Sequence, residues 1–187
     1  MLVPTGAGEQ RQLTHDAVSY NAERWLPDGK TLLASGIEAG HGARDYLIDI
    51  TTGSSKPITP EGIAGIRLSP DGRSAAVLGP DVKWGVWPLD GSGFRPIPNL
   101  DSAYYVDGWS PDGSYVYVSS TGRGETTTKL YKVNIATGKM EFWRTFGTEA
   151  TAGQGGAGDF QFSIDGTAYA YVYDKVLSEA YVVTGLK

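Results

Sequence analysis

The chain has 187 residues, which is long enough for one domain with a sizeable core. Its formal net charge is −5. It contains no cysteine, so neither a disulfide framework nor a thiolate metal site is possible. The acidic balance and the short Lys/Arg runs argue against nucleic acid as a partner. No apolar run approaches the ~20 residues that cross a bilayer, so we expect no membrane insertion.

Residues 1–14 are predicted to form two short strands around a turn, in the stretch LVPTGAGEQRQLT. This start lacks the charged segment and the apolar stretch of a signal peptide. By comparison with the repeats described next, the two strands correspond to the third and fourth strands of a preceding unit.

Four later segments share a large apolar residue that runs directly into a turn. They are WLPDG at Trp25, LSPDG at Leu68, WSPDG at Trp109 and FSIDG at Phe162, and the successive spacings are 43, 41 and 53 residues. A period of roughly 40–45 residues is typical of the four-stranded blades of a β-propeller. The longer last spacing contains the insertion GTEATAGQGGAG (147–158), which is predicted to be a loop.

Each repeat predicts four antiparallel strands, called a to d from the inner to the outer edge. Prolines 57, 96 and 98 fall in the predicted d strands, and proline is confined to sheet edges because it cannot donate a ladder hydrogen bond. The predicted fold is therefore an all-β, single-domain propeller of four four-stranded blades. The predicted blades cover residues 15–60, 61–99, 100–146 and 147–187, and the last one lacks its outer strand.

The large apolar residue at the end of each a strand is predicted to be buried between neighbouring blades, with Trp25 and Trp109 adding a few kcal/mol each. The Asp of each turn has two interpretations. It could serve a metal or catalytic site, or it could bond the backbone N–H groups of the turn. Its recurrence in four turns favours the second.

The repeats begin and end out of phase, so residues 1–14 are expected to pair with the last blade. Two closures fit this expectation. One chain could close on itself as a four-bladed ring, or two chains could form an eight-bladed homodimer by strand exchange, which we slightly prefer. In either case one strand is surplus, because residues 2–4 and 181–183 compete for the same position.

The turns, together with YLIDITTG, LYKVNIATG and RQLTHD, resemble the TolB-like (WD40-like) β-propeller repeat over nearly the whole chain. More narrowly, VPTGAGEQRQLT and KVLSEAYVVTGLK resemble the C-terminal propeller region of bacterial eukaryotic-type serine/threonine kinases. That resemblance implies a sensor or interaction module of a larger bacterial protein and carries over no catalytic residue. The sequence departs from the repeat at Ile164, in place of a turn Pro, and at Leu68, in place of an aromatic residue.

Tests for known chemistry predict no catalytic residue, no cofactor and no metal. The pattern G-x-G-x-x-G at Gly153, Gly155 and Gly158 precedes a strand rather than a helix, so a flexible loop is preferred to a dinucleotide site. There is no G-x-S-x-G nucleophile motif. The two histidines, His15 and His41, are too few for a His-rich metal site.

The variable d–a and b–c connections share one face, and variable loops on a repetitive scaffold are where binding usually occurs. The candidate binding face comprises His15, Asp16, Glu38, His41, Asp81, Lys83, Tyr104, Arg123, Glu125, Asp174 and Lys175. The alternative is that these residues only provide solubility.

The expected function is a non-catalytic scaffold for protein or ligand binding. The alternatives are a fragment whose only activity is assembly into a closed ring, and an accessory propeller of a hydrolase. The compartment stays open: a membrane-anchored parent implies an extracytoplasmic location, and a chain expressed as it stands implies the cytoplasm.

Overall fold

A computed structural model describes residues 1–120, 127–147, 154–163 and 165–175, which form β-strands joined by short connections. The strands are β1 (Val18–Trp25), β2 (Thr31–Glu38), β3 (Arg44–Asp49), β4 (Ser55–Pro57), β5 (Ala64–Leu68), β6 (Ser74–Leu78), β7 (Lys83–Pro88), β8 (Arg95–Asp101), β9 (Tyr104–Trp109), β10 (Tyr115–Ser120), β11 (Thr127–Asn134), β12 (Met140–Gly147), β13 (Gln154–Phe162) and β14 (Tyr169–Lys175). Within those ranges the one helical segment is a 3₁₀ turn at Pro80–Val82. The all-β class predicted from the sequence is confirmed.

The strands form four antiparallel sheets in chain order, each an up-and-down meander. Sheet 1 contains β1–β4, sheet 2 contains β5–β8, sheet 3 contains β9–β12, and sheet 4 contains β13 and β14 among the described residues. The first strand of each sheet is called its inner strand, because the four inner strands line a common cleft.

The Ser-Pro-Asp-Gly turn of sheet 3 shows how the hairpins after the inner strands are closed. Ser110 Oγ donates to Asp112 Oδ1 at 2.6 Å, and the same carboxylate oxygen accepts the Ser114 N–H at 3.1 Å. Gly113 adopts φ +69°, which glycine reaches without steric cost. The hydrogen bonds, those from Ser110 and Ser114 first, lower the pKa of Asp112 to about 2. Equivalent carboxylate–backbone bonds occur at Asp28, Asp71 and Asp165. The carboxylates therefore serve the turns, as predicted.

The core consists of layers between successive sheets, because alternate residues of each strand point to opposite faces. Leu33 of sheet 1 packs with Val77 and Trp87 of sheet 2. The opposite face of sheet 2 packs on sheet 3, and sheet 3 packs on sheet 4 through a cluster that includes the fully buried Phe160. On the far side of sheet 1, the only buried residue from outside that sheet is Leu13, within the described chain.

The prediction that Trp25 is buried between blades is wrong. Its exposed fraction is 50%, whereas that of the equivalent Trp109 is 7%. Trp109 turns back toward sheet 2, where its Nε1 donates to Arg67 O at 2.7 Å. Trp25 turns toward the side of sheet 1 on which residues 1–14 lie, and that segment leaves the indole half uncovered.

The predicted loop at 147–158 is also partly wrong. β12 ends at Gly147, and β13 already begins at Gln154, so the glycine-rich stretch 154–158 belongs to a strand. Its partner β14 continues to Lys175 and provides the hydrogen-bonding edge, while two register shifts absorb the irregular sequence.

Candidate functional site

The predicted residues Glu38 and His41 lie in a charged cluster at the β2–β3 turn. His41 Nδ1 is 2.7 Å from Glu61 Oε1, and the Gly42 N–H donates to Glu61 Oε2 at 3.1 Å. Arg44 Nη2 lies 3.6 Å from Glu61 and 3.8 Å from Glu38. The Gly42 bond, followed by His41, lowers the pKa of Glu61. Arg44 thus serves both carboxylates of the cluster, and His41 is bonded to one of them.

Asp16, which precedes β1, is used by the fold. It accepts hydrogen bonds from Ser55 Oγ at 2.6 Å and from Tyr20 OH at 2.8 Å. Burial opposes the lowering of the Asp16 pKa, but these bonds and one from Val18 N–H outweigh it. Burial also raises the pKa of Tyr20 to about 12. The neighbouring His15 is exposed.

Asp81, Lys83 and Tyr104 lie near one another at the connection between β6 and β7. Asp81 belongs to the 3₁₀ turn and has φ 56°. The next residue, Val82, accepts a backbone bond from Ser102 at 2.9 Å, which ties this turn to the β8–β9 connection. Tyr104 begins β9, and its carbonyl accepts the Trp84 Nε1–H at 2.9 Å. One backbone bond and one bond from the Trp84 indole therefore bring these three predicted residues into one region.

The remaining predicted residues give a mixed result. Arg123 and Glu125 lie outside the described residues. The prediction that Asp174 and Lys175 belong to a loop is wrong, because both are the last residues of β14. β14 extends this far because Lys175 pairs with Gln154 of β13.

The four inner strands form a cleft around a common axis, which the repeat pattern was not used to predict. One part has a volume of ≈ 210 Å³, and its wall includes Arg24, Arg67, Asp107 and Gln161, one residue from each inner strand. A second part, of ≈ 590 Å³, shares Arg24, Arg67 and Gln161 and adds Tyr105. The two arginines are therefore common to both parts.

Arg24 and Arg67 are the two cations of the cleft wall, and the second part of the cleft is also lined by Glu23 and Asp159. Both are half-buried, and burial, followed by the charge of Arg67, lowers the pKa of Arg24. Arg67 Nε donates to Val106 O at 3.0 Å, and its guanidinium lies 5.5 Å from the centre of the Tyr105 ring. Among the described residues, no carboxylate oxygen lies within 4.0 Å of either guanidinium.

Asp107 is the buried acid of the cleft wall. Its exposed fraction is 6%, and its Oδ2 has no hydrogen-bond partner in the described structure. Burial raises its pKa to about 6, although Ser119 and the charge of Arg67 act in the opposite direction. A neutral carboxyl group therefore accounts for part of the population near pH 6.

The sequence did contain a signal for the cleft. In the dipeptides RW and RL, Arg24 and Arg67 occupy the same repeat position, immediately before the large apolar residue. Gly108 and Gln161 hold that position in the other two repeats. A comparison of this position in all four repeats, instead of a comparison of the loops, would have predicted that two arginines lie near the common axis.

Other site types have no support in the described part of the chain. No group of three His, Asp or Glu residues there could hold a metal ion. None of the helices in those ranges has the length and apolar character to cross a membrane.

No family model and no curated protein matches the sequence. Solved structures do match the fold. TolB from Acinetobacter baumannii superimposes with a TM-score of 0.62 at 20% identity, over 89% of this chain and 40% of that one. The putative TolB from Agrobacterium tumefaciens gives 0.63 at 21% identity, over 87% and 57%. The chain is a TolB-like β-propeller in its fold.

A third similar structure, an oligogalacturonate lyase in complex with manganese, has a TM-score of 0.60 at 16% identity over 85% of this chain and 49% of that one. This TolB-like propeller thus spans 40–57% of the length of these three proteins. At such identities the likeness concerns the fold alone. The narrower resemblance to the kinase region stays a prediction.

Proposed function

We propose that this propeller is a non-catalytic binding module whose ligand places an anionic group in the axial cleft. The observation that carries the proposal is the pair Arg24 and Arg67, which face one cavity and have no carboxylate within 4.0 Å in the described structure. Guanidinium groups bind carboxylate and phosphate through paired hydrogen bonds. A cleft with walls of low dielectric constant also concentrates the field of such charges.

The cleft supports this proposal better than the predicted loop face does. On that face, Glu38 and His41 belong to a cluster in which Arg44 and Glu61 already supply the opposite charges. In the cleft, Asp107 is buried and has a raised pKa, and neither Glu23 nor Asp159 has a carboxylate oxygen within 4.0 Å of the two guanidinium groups. A ligand anion would therefore supply the countercharge that the arginines lack.

Titration calorimetry with citrate as the probe, at low ionic strength, tests the proposal. Arg24→Gln should weaken citrate binding by about 10- to 100-fold, because a hydrogen bond to a charged group contributes roughly 1.5–3 kcal/mol. Arg67→Lys, which keeps the charge but loses the planar fork, should weaken it less. Added salt should weaken binding by the wild-type protein.

Arg73→Gln is the matched control, because Arg73 is an exposed arginine in the turn after β5, outside the lining of the cleft. Its affinity for citrate should equal that of the wild type. Equal losses in the Arg24 and Arg73 variants would show only non-specific attraction. Absence of citrate binding by the wild type would contradict the anion site.

A further inference from the structure

Among the residues that the structure describes, one face of sheet 1 lacks the contact that the other sheet faces in the interior possess. Leu68 and Phe162, at the ends of β5 and β13, pack in clusters with the preceding sheet. Trp109 does the same and is 7% exposed. The equivalent Trp25 is 50% exposed and lines a cavity of ≈ 320 Å³ between sheet 1 and residues 1–14.

The N-terminal segment lies where the outer strand of a preceding sheet would lie. The evidence is a repeated close approach: a Cβ atom on Gly53 would be 2.0 Å from Leu13 O, and one on Gly138 would be 2.0 Å from Pro98 O. Gly53 and Gly138 end equivalent Thr-Gly turns. Pro98 belongs to β8, the outer strand of the sheet that precedes sheet 3, so Leu13 holds the outer-strand position of a sheet that would precede sheet 1.

A second equivalence supports this assignment three residues further along. Asp16 Oδ1 accepts the Val18 N–H at 3.3 Å, and Asp101 Oδ1 accepts the Ala103 N–H at 2.9 Å. Part of the neighbouring strand, which comes earlier in the chain, is also present. Leu2 and Arg11 pair there through two backbone hydrogen bonds of 2.8 and 3.0 Å. Residues 2–13 therefore hold the place of the outer half of a sheet, and none of the described strands occupies its inner half.

The described part of sheet 4 is such an inner half. β13 and β14 pair in the same register as β5 and β6 next to the turn, because Gln161 is opposite Ala170 as Arg67 is opposite Ala76. The carbonyl of Arg67 accepts the indole N–H of Trp109. The carbonyl of Gln161 is thus the equivalent acceptor for an indole that docks on sheet 4. On β14, Val172 is 55% exposed, whereas Leu78, at the equivalent position of sheet 2, packs against sheet 3.

We propose that sheet 4 of a second copy of this chain docks on the open face of sheet 1, so that the Trp25 indole N–H donates to the carbonyl of Gln161 in that copy. Residues 2–13 then lie along the outer side of the docked sheet. The same contact made twice closes a symmetric dimer. The interface repeats the sheet-to-sheet packing that sheets 1–4 already show three times within one chain.

The mass in solution tests the proposal, by light scattering over a wide range of protein concentration. The wild type should have twice the 20.0 kDa mass of one chain, and dilution should return it to one. Trp25→Glu should remain at the single-chain mass, because the charge replaces an indole that docks on sheet 4. Trp25→Gln is a milder change at a half-exposed position, so it shows whether the single-chain mass of the first variant results from a folding defect.

Phe142→Glu is the matched control, since Phe142 is a large apolar residue that is 61% exposed on the outer strand β12. It should leave the dimer mass unchanged. A wild type that keeps the single-chain mass at every concentration overturns the proposal, and it would do so whether the chain stays open or closes on itself. A dimer that persists in both Trp25 variants also overturns it, because the contact would then lie elsewhere.

Discussion

Replacing Asp107 by Asn should stabilise the protein above pH 6 and have little effect near pH 4. Asp107 is almost fully buried, and burial raises its pKa from 3.8 to about 6. A pKa that is higher in the folded than in the unfolded chain favours folding at low pH, and that contribution is lost as the pH rises through the folded value. Above it, the native state bears the cost of a buried charge.

The magnitude follows from the shift in pKa. A difference of about two units, at roughly 1.4 kcal/mol each, sets an upper limit of about 3 kcal/mol on the gain from the neutral amide. The Asn amide oxygen can still accept the hydrogen bonds of Ser119, so the loss of those bonds is small. Asp45 has a similarly raised pKa, so the difference between variant and wild type is more informative than either profile alone.

Urea unfolding from pH 2 to pH 8, followed by tryptophan fluorescence, gives the free energy of unfolding for both proteins. The two curves should lie close together near pH 4, separate between pH 4 and pH 6, and stay apart by a constant amount above that. Asp112→Asn is the control with the opposite sign: its pKa is lowered to about 2, so this variant should lose stability above pH 4 and recover the wild-type value toward pH 2. A difference between Asp107→Asn and wild type that stays constant from pH 4 to pH 6 would refute a buried carboxylate.

Three further changes test the packing. Gly138→Ala should cost several kcal/mol, since its Cβ would lie 2.0 Å from a neighbouring carbonyl, whereas Gly113→Ala, with the same positive φ in open space, should cost only about 1 kcal/mol; equal losses of melting temperature would contradict the close approach. Trp109→Phe should lower stability by about 1–3 kcal/mol by leaving the Arg67 carbonyl without its indole donor; an unchanged urea midpoint would show that the bond is dispensable. Phe160→Ala should cost about 3–5 kcal/mol, because the ring is fully buried between sheets 3 and 4; a loss below 1 kcal/mol would place that ring outside the core.

The repeated hairpins were predictable because their determinants are local. In the turn after β9, Asp112 and Gly113 act within a few residues of each other, so the pattern in the sequence contains the whole cause. The exposure of Trp25 was not predictable in this way, since its repeat position is the same as that of Trp109. What differs is the neighbouring sheet, which a local pattern does not specify.

The candidate site was harder to predict for the same reason. Arg24 and Arg67 are 43 residues apart in the sequence and meet only because the inner strands converge on one axis. The loop residues drew attention because they vary between repeats, but Glu38 and His41 proved to be paired with nearby charges. Variation between the repeats therefore pointed to the loop face. The unpaired positive charges of Arg24 and Arg67 follow instead from the place of these residues beside the common axis.

The aromatic content of the interfaces changes along the chain. The layer between sheets 1 and 2 consists mostly of aliphatic residues, whereas between sheets 3 and 4 Tyr117 stacks on Phe162 with 4.4 Å between ring centres, and Trp143 lies 4.7 Å from Tyr117. Exciton coupling among these rings should therefore report on one end of the molecule. If the sheets melt in succession, as nearest-neighbour stabilisation allows, spectroscopy can follow the loss of the last sheet separately from the rest.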